Sequence, residues 1–500
     1  MTPDRTTRWR GVLALLLLAL ASGCIPKVKG VGLRAVNVDA PSAFLGDDGA
    51  EAPLEAARAS SIFEDPHLVA LVEAALDQNQ ELEILRQEML IADAEIGGRL
   101  GEVFPHVGLG VGAGVEKVGR YTSQGAADAS SEMTPGREVP EHLPNFRIAL
   151  EASWEIDIWQ KLTNATRAAR ARALASVEAR NFAITLLVSE VADAYYELLA
   201  LDSQMAVVDT YIGLLEDALR IVRLQRDAAE TTALGVQRFE AALLENQARR
   251  FTIQQQIIET ENHVNLLCGR YPQSVPRREG ALLDVPLDPV DAGAPAQLLA
   301  RRPDIRQAEL GLEAAMLDVK VARAGFFPAL SLDAEVGIEA FTPAKLVALP
   351  ASLLYNLAGQ ILAPLVNRAE LKARWTAANA QQMQAVVAYE RTALEAFVEV
   401  ANDLARIQNL DAGYALQGQR VEVLEQAIET SNQLFRAARA DYLEVLTTRR
   451  EALEAQMELI ETKRDQVAAR IALYRAVGGG WTAAETLTET TPASPTDGGP

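Results

Sequence analysis

The chain has 500 residues and a formal net charge of -21 at pH 7, with 49% hydrophobic and only 5% aromatic residues. This length exceeds one ordinary core and predicts either two domains or one very elongated structure. The acidic balance excludes nucleic-acid binding through a basic surface. Two cysteines, Cys24 and Cys268, exclude a disulfide framework.

The N-terminus has the pattern of a secretory signal peptide over residues 1–23. Three arginines precede an apolar run over residues 12–20, and Ala-Ser-Gly leads to Cys24. The run is shorter than the roughly 20 residues that a membrane-spanning helix needs. The cysteine resembles that of a bacterial lipobox, with Ala21 in place of the usual leucine, which implies that Cys24 is acylated, for example with palmitate. The alternative is an ordinary signal peptide with an incidental cysteine. Residues 24–60 predict an extended segment without its own core.

The rest of the chain contains one pattern twice. Each copy starts with a helical periodicity, passes through a Phe-Pro pair and becomes a strand that alternates residue by residue. The pairs are Phe104-Pro105 in the first copy and Phe327-Pro328 in the second. Proline is tolerated at the first position of a strand. The sequence therefore predicts two repeats, over residues 61–268 and 296–480, joined by a Pro- and Asp-rich linker over 269–295.

Each repeat continues with a second strand and two long helices. The predicted hairpins cover residues 105–158 and 328–364, and the first contains a longer polar loop. Apolar residues then recur at steps of four and three, which is typical of a coiled-coil seam. From residue 159 to about residue 227 the chain has no proline and almost no glycine, which predicts a helix of roughly 100 Å. Residues 481–500 predict a disordered tail.

The alternation places acidic side chains on one face of the predicted strands: Glu151, Glu155, Asp157, Asp333, Glu335 and Glu339. Four strands cannot close a membrane barrel, since known closed bacterial barrels start at eight and open strand edges are not tolerated in lipid. Two interpretations remain: a soluble four-stranded sheet, or a barrel to which several chains each contribute four strands. Unpaired carboxylates are costly in a packed core but not in a water-filled lumen, which favours the barrel.

Several motifs resemble those of the TolC-like outer membrane efflux proteins, in the lipoprotein branch of that family. They are found at residues 298–305, 326–332, 153–159, 436–447 and 472–481. The resemblance implies an α+β membrane protein with two internal repeats. In this fold a long α-helical coiled-coil barrel continues a transmembrane β-barrel, which has 12 strands in the trimer. The family's Asp-Gly-Gly turn after the last strand is replaced here by residues 364–368.

The resemblance also implies a gate at the periplasmic end of the helices. By motif register the acidic gate residue is Glu444, with Asp441 and Arg439 as candidates for salt bridges around it. Thr447 stands where the family has a second acidic residue. The alternative for all three positions is an ordinary solvated charge on a helix surface.

No catalytic constellation, zinc-ligand spacing or phosphate-binding loop is found, which predicts a protein that is not an enzyme and has no metal or cofactor. The resemblance implies a homotrimeric, lipid-anchored channel in the outer membrane of a Gram-negative bacterium that extends into the periplasm. Implied partners are outer membrane lipids, a periplasmic adaptor (membrane fusion) protein and an inner-membrane transporter of the resistance-nodulation-division type. The implied function is tripartite efflux of small molecules such as drugs and toxic compounds. The alternatives are the exit duct of a type I protein secretion system and a periplasmic coiled-coil lipoprotein without a pore.

Overall fold

The structure is a computed structural model that describes residues 63, 65–228, 231–278, 280–287, 301–364, 366, 368–437, 439–440 and 442–479. The predicted signal peptide, Cys24, Asp441 and the predicted tail lie outside these residues. The described residues form two compact units. The first contains Leu90–Leu174 and Leu310–Val387, and the second contains the described residues up to 89, from 175 to 309 and from 388 onward.

Eight α-helices and six strands are found in the described residues, together with two short 3-10 turns. In chain order they are α1 (Pro66–Gln78), α2 (Gln80–Gly101), β1 (His106–Glu116), α3 (Ser123–Asp128), β2 (Glu132–Thr134), β3 (Arg137–Glu138), β4 (Leu143–Ile156), α4 (Lys161–Asp227), α5 (Ala233–Leu267), α6 (Pro303–Ala324), β5 (Ala329–Ala340), β6 (Leu353–Leu362), α7 (Ala369–Arg436) and α8 (Tyr442–Ala476).

The first unit is organised around a four-stranded antiparallel sheet in the order β1-β4-β5-β6. The alternating segments form these strands, as predicted, because their side chains separate an apolar face from a polar one. Strand β4 ends at Ile156, two residues earlier than predicted, and the loop between β1 and β4 contains α3 and a small β2–β3 hairpin that the sequence did not reveal. The sheet thus joins both repeats through the β4–β5 pair.

The second unit is built from long helices. Helix α4 has 67 residues, about 100 Å at a rise of roughly 1.5 Å per residue, and part of it belongs to the first unit. By length and composition α4 could cross a membrane. Its seam residues Val191, Tyr195 and Leu198 are instead fully buried in the helical core, where they pack with residues of α1, α5 and α8. The predicted coiled-coil seam is therefore the hydrophobic core of this unit.

The repeat is visible in individual hydrogen bonds. In the first half, Asn79 Nδ2 donates to the carbonyl oxygen of Leu267 at 2.9 Å. In the second half, Arg302 Nη1 donates to the carbonyl oxygen of Ala476 at 2.7 Å. The two donors are separated by the same interval as the two Phe-Pro pairs, and both acceptors are the last residues of their helices. Both halves of the chain therefore contain an equivalent corner, formed by different side chains.

The helix ends beside these corners also match. Gly269 after α5 has φ +65° and Gly478 after α8 has φ +79°. In each half the next residue, Arg270 or Gly479, donates its backbone N–H to a carbonyl five residues earlier, at 2.9 Å. This is the geometry of a Schellman motif, which favours glycine because its left-handed position strains other residues.

One predicted helix is interrupted. The periodicity over residues 66–100 is continuous, but the structure divides it into α1 and α2 at Asn79, whose ψ of 125° is extended. The Asn79 side chain accepts backbone N–H groups of Glu81 at 2.9 Å and Leu82 at 3.1 Å, which caps α2. An asparagine at this position is compatible with either a helix break or a continuous exposed helix. The pattern of apolar residues therefore did not reveal the break.

Candidate functional site

One face of the sheet is apolar and exposed. Val111 on β1 is 73% exposed, and Tyr355 and Leu357 on β6 are 80% and 70% exposed. Leu150 on β4 and Val336 on β5 belong to the same face and are half exposed. A contiguous apolar surface over four strands is not found on an ordinary soluble monomer, and it is the surface that lipid requires of a membrane strand.

The opposite face is polar, and two of its carboxylates are neighbours. Glu151 on β4 lies directly opposite Glu335 on β5 in the strand register. Arg147 Nη2 lies 2.5 Å from Glu151 Oε1 and 2.6 Å from Glu335 Oε1. Like charges opposite each other destabilise a strand pair, and Arg147 offsets this repulsion. The structure therefore brings two predicted lumen residues together around an arginine that was not among the predicted site residues.

The other predicted lumen carboxylates have separate surroundings. Glu339 is exposed and accepts a hydrogen bond from Asn145 Nδ2 at 2.5 Å. Glu155 forms an ion pair with Lys161 at 2.6 Å, at the start of α4. Asp333 is exposed on the polar face opposite Ser153. These side chains make the polar face acidic along the length of β4 and β5.

Asp157 has a different position from the one predicted. It lies beyond β4, and its carboxylate accepts the backbone N–H of Leu162 at 3.1 Å and of Thr163 at 2.8 Å, as well as the Thr163 hydroxyl at 2.7 Å. Burial would raise the pKa of this carboxyl, but these hydrogen bonds outweigh it and lower the pKa. The structure thus makes Asp157 the cap of the α4 N-terminus, where a carboxylate is favoured.

Strand β1 contributes almost no side chains to the polar face. The positions on this face are glycines at 108, 110, 112 and 114. A Cβ atom built on Gly110 would lie 2.8 Å from Glu151 Oε1, whereas the other three would meet nothing within 4 Å. The glycines form a bare strip, and at Gly110 this strip makes room for the Glu151 carboxylate.

The sheet has two edge strands, β1 and β6, which have no strand partner on their outer sides among the described residues. β1 has 11 residues and β6 has 10. Strands of this length fit a bilayer-spanning strand. Their open backbone N–H and C=O groups are available for pairing with another chain.

The candidate gate residues lie in the second unit, at the junction of α7 and α8. Glu444 is exposed in the first turn of α8, where a negative charge is favoured by the helix dipole. Arg439 is exposed in the turn before it, and its backbone N–H donates to the carbonyl of Leu434 at 2.9 Å. Among the described residues no ion pair joins Arg439 to Glu444, and Asp441 lies outside them.

The same junction is held by residues that were not among the candidate gate residues. The Tyr442 ring packs against Phe239 with centroids 6.4 Å apart, and a Cβ atom on Gly235 would lie 3.1 Å from Tyr442 Cζ. Arg449 donates from Nη2 to Asn432 Oδ1 at 3.2 Å and from Nη1 to the carbonyl of Leu214 at 3.5 Å. These contacts connect α8 with α4, α5 and α7. Tyr442 belongs to the motif at residues 436–447, whereas the other residues of this junction were not predicted to contribute to it.

The two-faced sheet and the duplicated long helices together define the fold of an outer membrane efflux channel subunit. A sequence model of the family "Outer membrane efflux protein" matches residues 71–270 and 294–479. The two matched segments correspond to the two halves of the internal repeat, and their starts are offset by the same interval as the two Phe-Pro pairs. The chain belongs to this family, and it is an outer membrane protein that extends into the periplasm.

Individual relatives agree with this assignment. The chain is 31% identical over 425 residues to the pyoverdine export outer membrane protein OpmQ of Pseudomonas putida, which covers 84% of this chain and 87% of OpmQ. It is 27% identical to the toluene efflux pump outer membrane protein TtgI of Pseudomonas putida, over 86% of this chain and 88% of TtgI. The crystal structure of the CmeC outer membrane channel of Campylobacter jejuni has the same fold, with a TM-score of 0.79 and 19% identity over 92% of this chain and 98% of CmeC.

Proposed function

We propose that three copies of this chain form a channel that exports small molecules through the outer membrane as the exit duct of a tripartite pump. The observation that carries the proposal is the sheet, which has an exposed apolar face, an acidic face and two open edges of similar length. In lipid those edges must pair, and pairing β1 of one copy with β6 of the next removes both. Three copies then give 12 strands around a water-filled lumen.

The lumen is lined by the acidic face. Glu151 and Glu335 form one layer of the wall. Arg147 reaches them from the layer that contains Glu339, and Asp333 and Glu155 lie in further layers. Carboxylates in such a lumen remain hydrated and attract cations. The lipid-facing wall is the surface that contains Val111 and Leu357.

The proposed partners are a periplasmic adaptor protein and an inner-membrane transporter of the resistance-nodulation-division type. The support is the family, together with the names of the relatives, one of which serves pyoverdine export and another a toluene efflux pump. These two substrates differ so much in size and polarity that the export of small molecules is the class they share. The chain itself supplies conduction and gating, and we infer no enzymatic step.

Conductance of the purified, full-length protein in planar bilayers tests the channel. The expected result is stepwise conductance from a species that electron microscopy shows as a threefold ring. A monomer that adds no conductance would overturn the proposal and favour a coiled-coil lipoprotein without a pore. Export of a fluorescent dye in a host that lacks its own efflux duct, restored by this chain, separates small-molecule efflux from protein secretion.

The gate is proposed to include Glu444. We expect Glu444→Gln to increase the conductance of the closed channel, because removing one charge per copy weakens the ring of carboxylates that binds cations at the entrance. Glu422→Gln, which removes an exposed carboxylate 14 residues before the end of α7, is the matched control and should leave conductance unchanged. Equal conductance of the Glu444 variant and the unmodified protein would remove Glu444 from the gate.

A further inference from the structure

The first unit concentrates positive charge where its helices meet the sheet. Helix α2 ends five residues before β1, α4 starts five after β4, α6 ends five before β5 and α7 starts seven after β6. The strand register places these four junctions at one end of the sheet. Since the helices extend into the periplasm, this end faces the inner leaflet of the outer membrane.

Six basic residues near this end have no ion-pair partner among the described residues: Arg167 and Arg170 on α4, Lys320 and Arg323 on α6, and Arg368 and Lys372 at the start of α7. All except Arg368 are exposed. We call the five exposed residues the basic collar. The chain has a net charge of -21, so this uncompensated group gives the region a local charge opposite in sign to that of the whole chain.

Several nearby carboxylates pair with other cations, whereas the exposed Asp93 on α2 has no ion pair among the described residues. Glu95 and Glu102 both pair with Arg99. Asp318 pairs with Arg172, and Glu370 pairs with Arg374 at 2.6 Å. Because these acids are already paired, the collar's charge is available to an external anion.

The collar adjoins the lipid-facing surface. Between the strand ends and the collar lie the exposed aromatic rings of Phe104 and Trp159. The Trp159 ring stacks on Phe327 with centroids 4.7 Å apart, and its Nε1 donates to the carbonyl of Pro328 at 2.8 Å. The Arg368 guanidinium lies 5.0 Å from the Phe326 ring centroid. Aromatic rings followed by basic side chains are the order expected where hydrocarbon gives way to headgroups.

The reach of the side chains fits this layer. Arg167 lies six residues into α4, roughly 9 Å along the helix at 1.5 Å per residue. Headgroup layers are about 6 Å thick on each side of the hydrocarbon, and long basic side chains extend back toward them. Cations near an anionic membrane surface are attracted to it, and the attraction falls off within a Debye length of about 8 Å at physiological salt.

We propose that the basic collar binds the phosphate groups of anionic phospholipids in the inner leaflet of the outer membrane, so that the channel is surrounded by a preferred ring of phosphatidylglycerol or cardiolipin. The collar thereby sets the depth and orientation of the sheet in the membrane. The occupant is a lipid rather than a soluble anion, because the collar is continuous with the surface that contacts acyl chains.

The test uses the full-length protein in vesicles of phosphatidylcholine that contain spin-labelled phosphatidylglycerol or phosphatidylcholine. We expect the motionally restricted fraction to show at least a fivefold preference for phosphatidylglycerol, which 0.5 M NaCl reduces. The variant Arg167→Gln/Arg170→Gln/Lys372→Gln should lose most of this preference. The variant Arg167→Lys/Arg170→Lys should retain it, which separates charge from a folding defect.

The matched control, Arg220→Gln/Arg226→Gln/Arg391→Gln, removes three exposed arginines from helix surfaces of the second unit and should keep the preference. The proposal is overturned if the collar variant keeps the preference for phosphatidylglycerol. It is also overturned if that variant changes the reversal potential of the channel in a KCl gradient while lipid selectivity is unchanged, since the collar would then line the lumen.

Discussion

At the scale of single residues, the second unit depends on buried charges. Arg302 is 5% exposed, and it forms ion pairs with Asp304 and Glu399, each at 2.8 Å, besides its bond to the carbonyl of Ala476. Burial would lower the pKa of Arg302, but these partners outweigh it and raise the pKa. A family motif residue thus ties together the start of α6, the middle of α7 and the end of α8.

We expect Arg302→Gln to destabilise the protein by about 3 kcal/mol, because the change leaves Asp304 without its buried partner and Glu399 with Arg475 alone. Thermal unfolding of the detergent-solubilised protein, followed by circular dichroism, measures the loss. Arg306→Gln is the matched control. Arg306 and its partner Glu309 are both exposed, so that pair contributes at most about 1 kcal/mol. Similar melting temperatures for the two variants would contradict the role of Arg302.

A second charge, on the half-buried Asp403, makes stability depend on pH. Burial and the neighbouring Glu399 raise the pKa of Asp403 from 3.8 to about 6, against the opposing effect of Arg475, Arg406 and Arg302. Asp403 Oδ2 is inaccessible to solvent and accepts no hydrogen bond from the described residues. The folded state therefore binds a proton more tightly than the unfolded chain, and stability from this group declines as pH rises from about 4 to 6.

Asp403→Asn should therefore raise the melting temperature at pH 8, where the unmodified carboxylate is ionised and buried. The gain corresponds to an order of 1–3 kcal/mol. At pH 4 the carboxyl is protonated and the two proteins should melt together. Asp217→Asn, at an exposed position paired with Arg220, should change neither value. A gain that is equal at both pH values would show that the charge of Asp403 is not the cause.

At the scale of elements, the ends of the long helices are fixed by glycine. A Cβ atom on Gly269 would lie 2.1 Å from the carbonyl oxygen of Gln78, and its φ of +65° is unfavourable for other residues. The strain and the clash act together at this position. Gly213, inside α4, has open space around it and a helical backbone.

Gly269→Ala should therefore destabilise the protein by more than about 1 kcal/mol. Gly213→Ala should stabilise it by roughly 0.5–1 kcal/mol, because alanine favours a helix. Relative to the unmodified protein, the melting temperature of the Gly269 variant should fall and that of the Gly213 variant should rise. A shift in the same direction for both would refute it.

The sequence predicted elements better than the contacts between them. Alternation and seam spacing were sufficient for the four sheet strands and for α4, α5, α7 and α8, because each such pattern has one periodicity. The break at Asn79 and the cap at Asp157 each depend on a few side-chain hydrogen bonds that leave no periodic signal. The Arg147–Glu335 ion pair required the β4–β5 register, which joins positions in different repeats and which no local pattern contains.

At the scale of the whole molecule, the two faces of the sheet determine where the chain resides. Leu357 and Asn356 are adjacent on β6, but Leu357 belongs to the exposed apolar face and Asn356 lies opposite Glu335 on the acidic one. In the proposed channel, adjacent residues of β6 therefore face lipid and water. This division agrees with the family to which the chain belongs and with its outer membrane location.

Leu357→Lys should reduce insertion into the outer membrane, because a lysine on the lipid face near the midplane costs about 2–4 kcal/mol. Asn356→Lys should insert normally, since its charge enters the lumen beside Glu335. Outer membrane fractionation and the yield of heat-resistant oligomer on gels measure both. Normal insertion of the Leu357 variant, or failure of both variants, would mean that the faces are assigned incorrectly.

The bare strip on β1 affects the width of the bore in the proposed channel. Where Gly108, Gly112 and Gly114 lie, the wall consists of backbone alone, so the bore is wider beside these residues than beside β4. A bulky solute can therefore pass these three segments, one from each copy, without displacing any side chain. These glycines widen the bore locally, whereas the carboxylates of the neighbouring strands set the charge of its wall. Substituting alanine for these glycines would therefore narrow the bore at β1 and leave the charge of its wall unchanged.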